Sequence, residues 1–436
     1  MRETDISRDI ASTAEPRPSP ATESATTDET NRTAMRRFDI AATIFFWIAT
    51  VAALLHLFLR LYPLSDPASG TGVLQVDFVV FWVAAKLAAA GQPLAIFDPD
   101  TLLAAARLGE GFQPKNFLWL YPAGYLLALF PLGMLSFTSA YLTYMAVSAI
   151  AFVLAFRAPA SVLPGLWRVM LASPMVVIGC LFLGQTSVLW TAGLVAGLWA
   201  MRGGKPAAAG LAIALLTMKP QLGLLIPVAL IAARQWAVMG WATGFTLLLA
   251  GAATAMTGPG YWVLFLGALD DAFVRIADGT THIHLMSSFY AFIRALGMEH
   301  GSALIAQYVL TAGLIAVIGW IWSRPGLGND LKFATLCAAI PMATPYAFYY
   351  ETTLAMAAAL FLIRDGFGRH LAGKTWLLVI WFGPAPALLL PELLNISLYT
   401  PPILLVTLAI CLARVRWRLS SAGGGKPAER PCPAPS

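Results

Sequence analysis

From about Phe38 to about Arg414 the chain is a succession of long apolar runs, rich in Leu, Ala, Val and Phe and separated by short polar or basic turns. Runs of this length and continuity predict membrane-spanning helices, whereas a transmembrane barrel needs short alternating segments. The apolar pattern stops at both ends. Residues 1–35 are mostly Ser, Thr, Glu, Asp, Pro and Arg, and 419–436 are mostly Ser, Gly, Pro and Lys, so both are expected to be disordered tails. Between them lies one polytopic all-α domain, 36–418. Its first run follows Arg36-Arg37 and is expected to be retained as a span.

Charge orders these runs. Basic residues collect in short turns: Arg157 to Arg168, Arg202 with Lys205, Arg234, Arg324 to Lys332, Arg364 to Lys374, and Arg414 to Arg418. The positive-inside rule places all of these, and both termini, in the cytoplasm. That parity works with about 12 spans provided that Phe117 to Leu135 does not cross. Pro122, Gly124, Pro131 and Gly133 make it a candidate broken helix on the outer face. The outer loops are then about 62–137 and 258–301, and Tyr261 to Ile276 reads as an amphipathic interfacial helix. Composition agrees, with 58% hydrophobic and only 11% charged residues where a soluble domain has about 25% charged. The net charge of +6 therefore reflects cytoplasmic loops rather than a nucleic-acid partner. Cys180, Cys337 and Cys411 sit in apolar runs and Cys432 in the tail, with no disulfide or metal spacing.

The unusual polar residues sort to the outer side. Asp77 sits in Val76-Asp77-Phe78-Val79-Val80-Phe81-Trp82, a carboxylate among aromatics at a membrane boundary. It is either a loop acid facing water or one part of an assembled site. Lys219, in Met218-Lys219-Pro220-Gln221, breaks the positive-inside pattern. It either snorkels to headgroups or, fixed by Pro220, meets the phosphate of a lipid-linked donor. Glu351 follows Tyr346, Phe348, Tyr349 and Tyr350, as a solvated acid of an aromatic belt or as a substrate contact, and Tyr350 shares the second reading. The 258–301 loop carries Asp270, Asp271, Arg275, Asp278, His282, His284, Ser287 and Ser288. His282 and His284 are candidate hydroxyl contacts, and without a third ligand they make a weak metal pair. The chain contains no Walker loop, dinucleotide fingerprint, metalloprotease histidine pair or nucleophile elbow.

Taken in order, Val76-Asp77-Phe78-x-x-Phe81-Trp82-x-Ala84-Ala85-Lys86, Tyr121-Pro122, Phe130-Pro131-Leu132, Gly184-Gln185-Thr186, Lys219-Pro220-Gln221 and Thr344-Pro345-Tyr346 resemble glycosyltransferase family 87. The resemblance runs from about Phe38 to about Arg414. It implies a GT-C-type fold and transfer of a hexose, mannose among the candidates, from a polyprenyl-phosphate sugar to a lipid or glycan acceptor. The reaction would face outward from the cytoplasmic membrane. The resemblance makes Asp77 the general base, puts donor contact at Lys219, Gln221, Gln185 and Tyr121, and implies no metal or other cofactor. One departure is Glu351, where relatives often have Asp or His, so its role stays open. The competing class is a secondary transporter or flippase of lipid-linked sugars, which would show an internal repeat and ionisable groups at the membrane midplane.

Overall fold

The computed structural model describes residues 20–61, 77–108, 118–163, 165, 175–279, 283–386 and 395–423. Among these it is helical, with no strand and one isolated antiparallel bridge between Met286 and Phe348. The helices are α1 (Pro20–Leu61), α2 (Phe78–Ala89), α3 (Pro99–Leu108), α4 (Ala123–Leu129), α5 (Phe137–Ala160) and α6 (Met175–Leu183). Then follow α7 (Ser187–Arg202), α8 (Pro206–Leu215), α9 (Leu225–Ala232), α10 (Trp236–Thr257), α11 (Gly260–Ala277) and α12 (Phe289–Ala295). The last are α13 (His300–Trp322), α14 (Asn329–Ala339), α15 (Thr353–Arg364), α16 (Leu371–Phe382) and α17 (Ile396–Gly423).

Among the described residues, five helical stretches are long and apolar enough to cross a membrane: Arg32–Leu55, Phe137–Ala160, Trp236–Thr257, His300–Trp322 and Ile396–Ser421. The expected twelve crossings are not matched by twelve helices of that kind. Prolines and short turns divide the apolar runs instead. Pro206 opens α8, Pro220 follows its end, and 3-10 turns at Leu216–Met218 and Pro220–Leu222 replace a continuous span. The expected break in Phe117 to Leu135 is present in its described part. There α4 gives way at Phe130-Pro131 to a 3-10 segment, Phe130–Met134. Together they cover about 20 Å, short of a hydrocarbon layer of roughly 30 Å. At the N-terminal side the composition misleads. Residues 20–35 read as a disordered tail but form the beginning of α1, with Pro20 at a position that tolerates its missing N–H.

Two packing features place the site. Helices α14 and α15 lie against each other at the centre, and every residue of Leu331–Ala339 and Thr353–Leu362 is buried. A helix apolar on all sides belongs inside a bundle, and the alanines at 334, 338, 339, 355, 357, 358 and 359 let the backbones approach. Around them, α5, α10 and α13 turn residues such as Leu154, Leu248 and Val309 outward. The second feature is an aromatic cluster that holds α2 against α4 and the start of α5. Phe81 meets Tyr121 and Tyr125 edge-on at 5.2 and 5.3 Å, and Phe78 packs on Tyr141 and Tyr144.

The far ends of the central helices are tied by ion pairs. Asp330, in the first turn of α14, takes Arg202 of α7 at 2.7 Å and Arg364 of α15 at 2.8 Å. Arg364 also donates to the Pro159 carbonyl of α5. Asp365 takes Arg414 and Arg418 of α17.

Candidate active site

Asp77 stands at the N-cap position of α2, where an Asp side chain ordinarily accepts from the backbone N–H groups of the first turn. Here it makes no such bond. Elsewhere the rule holds: Ser136, Ser288 and Glu299 all cap the helices they precede. The Asp77 carboxylate instead accepts a hydrogen bond from the Gln185 side-chain amide, 108 residues away. Gly184 makes this meeting possible. Its φ of +68° turns the chain out of α6, and a Cβ there would lie 2.4 Å from Cβ of Phe78.

Opposite Asp77 is a dry ion pair. The Lys219 ammonium lies 2.6 Å from Glu351 Oε1, with the side chains only 3% and 4% exposed. It also donates to Ser187 Oγ at 3.2 Å, and that hydroxyl donates to Glu351 Oε1. The second Glu351 oxygen accepts from the Phe348 N–H at 3.0 Å. Lys219 sits 4.5 Å from the centre of the Tyr350 ring, a cation–π contact. The lysine therefore does not snorkel, and Glu351 is not a solvated belt acid. Pro220 and the two flanking 3-10 turns hold Lys219 in place, and Thr191 bonded to Thr353 at 2.7 Å locks α7 to α15 beside the pair.

These groups line one cavity of about 280 Å³. Asp77, Tyr121, Gln185, Lys219, Gln221, Tyr350 and Glu351 all face it, so seven of the residues singled out in the sequence meet in one place. His284 does not line it and is exposed, while His282 lies outside the described residues. Other lining residues carried no assigned role in the sequence, among them Phe81, Arg275, Leu285, Tyr346 and Phe348. Ser187 also went unread, although it lies two residues after Gln185 at the start of a helix. The 344–351 segment is pinned to the 283–288 loop by Ser287, whose N–H donates to Ala347 O and whose hydroxyl donates to Phe348 O.

The two carboxylates differ chemically. Burial pushes both upward from the ordinary carboxylate range, and each is partly pulled back, Asp77 by Gln185 and Lys219, Glu351 by Lys219, Phe348 N–H and Ser187. Glu351 has its acceptor sites committed. Asp77 is half-buried and open to the cavity with one strong donor, and the Gln185 carbonyl oxygen beside it has no partner. Among the described residues no three His, Cys, Asp or Glu side chains converge as a metal site would require.

The family model for glycosyltransferase family 87 matches residues 119–345, more than half of the chain. The chain belongs to glycosyltransferase family 87. No curated protein and no solved structure matches it significantly. Membership makes the protein a membrane glycosyltransferase and decides against the transporter class. Within the family-87 match lie Tyr121, Gln185, Ser187, Lys219, Gln221 and Arg275. Asp77 and Glu351 fall outside it and join these residues through the cavity they line.

Proposed function

We propose that the cavity transfers a hexose from a polyprenyl-phosphate sugar to a hydroxyl of a lipid or glycan acceptor. The transfer would occur at the outer face of the cytoplasmic membrane, in a GT-C-type fold of about 12 crossings. Asp77 is the general base. It takes the proton of the acceptor hydroxyl as that oxygen bonds to the anomeric carbon, and the bond from that carbon to the phosphate oxygen breaks. Polyprenyl phosphate leaves with the electron pair. One base and one displacement give inversion at the anomeric centre. The observation that supports this best is Asp77 itself, which forgoes its helix cap to face a cavity from a dry setting. A raised carboxylate open to substrate suits a base, whereas Glu351 is held as the counter-ion of Lys219. The outward side is supported by the basic turns, which gather at the opposite ends of α7 and α15. Gln185 and Gln221 supply amide groups for sugar hydroxyls, and Tyr121 and Tyr350 supply ring faces.

The test is transfer of radiolabelled sugar from polyprenyl-phosphate hexoses to candidate acceptors by the purified protein in lipid nanodiscs. Asp77→Asn keeps the side-chain size, and should lower kcat at least about a hundredfold while donor affinity holds. Near-normal turnover of that variant removes Asp77 as the base.

A further inference from the structure

Helix α14 does not run on into the cavity wall. After Ala339 the chain passes through a 3-10 turn, Ile340–Met342, and neither Pro341 nor Pro345 has an N–H to carry a helix onward. The Tyr346 N–H, which a continued helix would give to Met342, goes instead to Thr344 Oγ1 at 3.1 Å. Met342 and Ala343 are buried, so donors for their carbonyls must come from the protein. Helix α13 supplies them. Gln307 Nε2 donates to Met342 O at 2.9 Å. The Thr311 hydroxyl lies 3.0 Å from Ala343 O and shares its proton with the Gln307 carbonyl of its own helix. Gln307 is fully buried, and the rest of its amide is engaged as well. It donates to Thr311 Oγ1 at 3.1 Å, and its oxygen accepts the Tyr290 N–H of α12 at 2.9 Å. One side chain thus joins α12, α13 and the broken end of α14, and its partners fix which end of the amide is oxygen.

These bonds lead to the cavity. Ser287, three residues before Tyr290, already holds Ala347 and Phe348, and Ser288 caps α12. The stretch 342–348 is therefore fastened at its start through Gln307 and at its end by Ser287. Tyr346 and Phe348 in this stretch line the cavity, as do Tyr349, Tyr350 and Glu351 just beyond it, whereas Gln307 and Thr311 do not.

We propose that Gln307, with Thr311, is a positioning residue for the transfer, acting from outside the cavity. It sets the path of 342–351, and through that path the place of Glu351 and of the Lys219 ammonium paired with it. This rests on reading the cavity as the site of transfer. An apolar side chain at 307 would leave the Met342 carbonyl and the Tyr290 N–H buried without partners, and each can recover one only by moving its segment. A misplacement of about 1 Å set up away from the chemistry is enough for roughly a hundredfold loss of rate. Polar residues between membrane helices also serve as plain fasteners. The two roles part in where the damage appears. The ion pairs at the far ends of α14 and α15 involve neither Gln307 nor Thr311, so a positioning defect stays local.

The full-length protein in lipid nanodiscs is assayed for transfer from polyprenyl-phosphate hexoses, and amide hydrogen exchange is followed by mass spectrometry. Gln307→Leu should lower kcat/KM at least about tenfold and speed exchange across 343–351 by a similar factor, with 331–339 of α14 exchanging as in the wild type. Thr311→Val keeps the shape without the hydroxyl and should act in the same direction more weakly. Thr311→Ser keeps the hydroxyl and should transfer as the wild type does. The Thr311 pair carries the test where Gln307→Leu does not fold. Wild-type transfer by Gln307→Leu, or by Thr311→Val in its stead, overturns the proposal. So does a loss of transfer with exchange at 331–339 accelerated as much as at 343–351, which makes Gln307 a fastener of the bundle alone. Asp77→Asn and Glu351→Gln are run alongside. If they are impaired while Gln307→Leu is normal, the positioning role falls and the active-site reading stands. If both transfer normally, the active-site reading falls and the proposal with it.

Discussion

The same helices carry two polar ends of opposite character. α7 runs from Ser187 at the cavity to Arg202, and α15 runs from beside Glu351 to Arg364. At the Arg end each carboxylate is saturated: Asp330 takes two guanidiniums, and so does Asp365. The cations there also lie on indole faces, Arg202 and Arg364 on Trp199, Arg414 and Arg418 on Trp417. Water reaches this end, and the Arg202 side chain is 36% exposed. At the cavity end the ion pair is dry, Asp77 is held by a single side-chain donor, and the Gln185 side-chain oxygen is buried without a partner. Saturation with water access makes a fastening. Dryness with unfilled acceptors makes a site that gains its partners from substrate.

The sharpest way to break this contrast is to leave one dry charge alone. Glu351→Ala strands Lys219 in the interior and should cost about 3–5 kcal/mol of stability, measured by thermal unfolding in detergent. Lys219→Met combined with Glu351→Gln should recover a large part, and no recovery would deny that the two act as a pair. Gly184→Ala comes next. A Cβ at that positive φ brings roughly 1–3 kcal/mol of backbone strain and pushes Gln185 away from Asp77. Transfer should fall at least about tenfold while the far-end pairs, and with them most of the unfolding temperature, persist.

A smaller effect separates the ends by pH. A base works deprotonated, so transfer falls as pH drops through the raised pKa of Asp77. The Gln185 amide pulls that pKa down, so Gln185→Leu should move the acidic limb of kcat/KM to higher pH. An unmoved limb would mean that Gln185 does not set the carboxylate. The smallest change belongs to the wet end. Arg202→Ala leaves Asp330 paired with Arg364, and should cost under about 1 kcal/mol with the pH profile unchanged.

How much of this could be read from the chain depends on distance in sequence. The membrane class and the break at Phe130-Pro131 follow from local apolar runs and prolines, and both are present. Asp77, Lys219 and Glu351 stood out because each violates its local apolar or charge pattern. Their partners did not. Nothing near Lys219 says that its ammonium pairs with an acid 132 residues later. Ser187 looks like any serine opening a helix. Arg275 hides among the acids of its own helix, and only the fold shows that it turns to the cavity while they do not. The span count is harder to read for a related reason. Parity counts turns, whereas helix length depends on where Pro206 and Pro220 interrupt a run.

The same separation sets an order of events during synthesis. Chains grow at about 5–20 residues per second, so on the order of ten seconds pass between the appearance of Lys219 and that of Glu351. Through that interval the lysine has no counter-ion and cannot enter its final dry position at low cost. The cavity is therefore among the last parts of the molecule to mature. A chain arrested before Glu351 carries a lysine that still lacks its counter-ion.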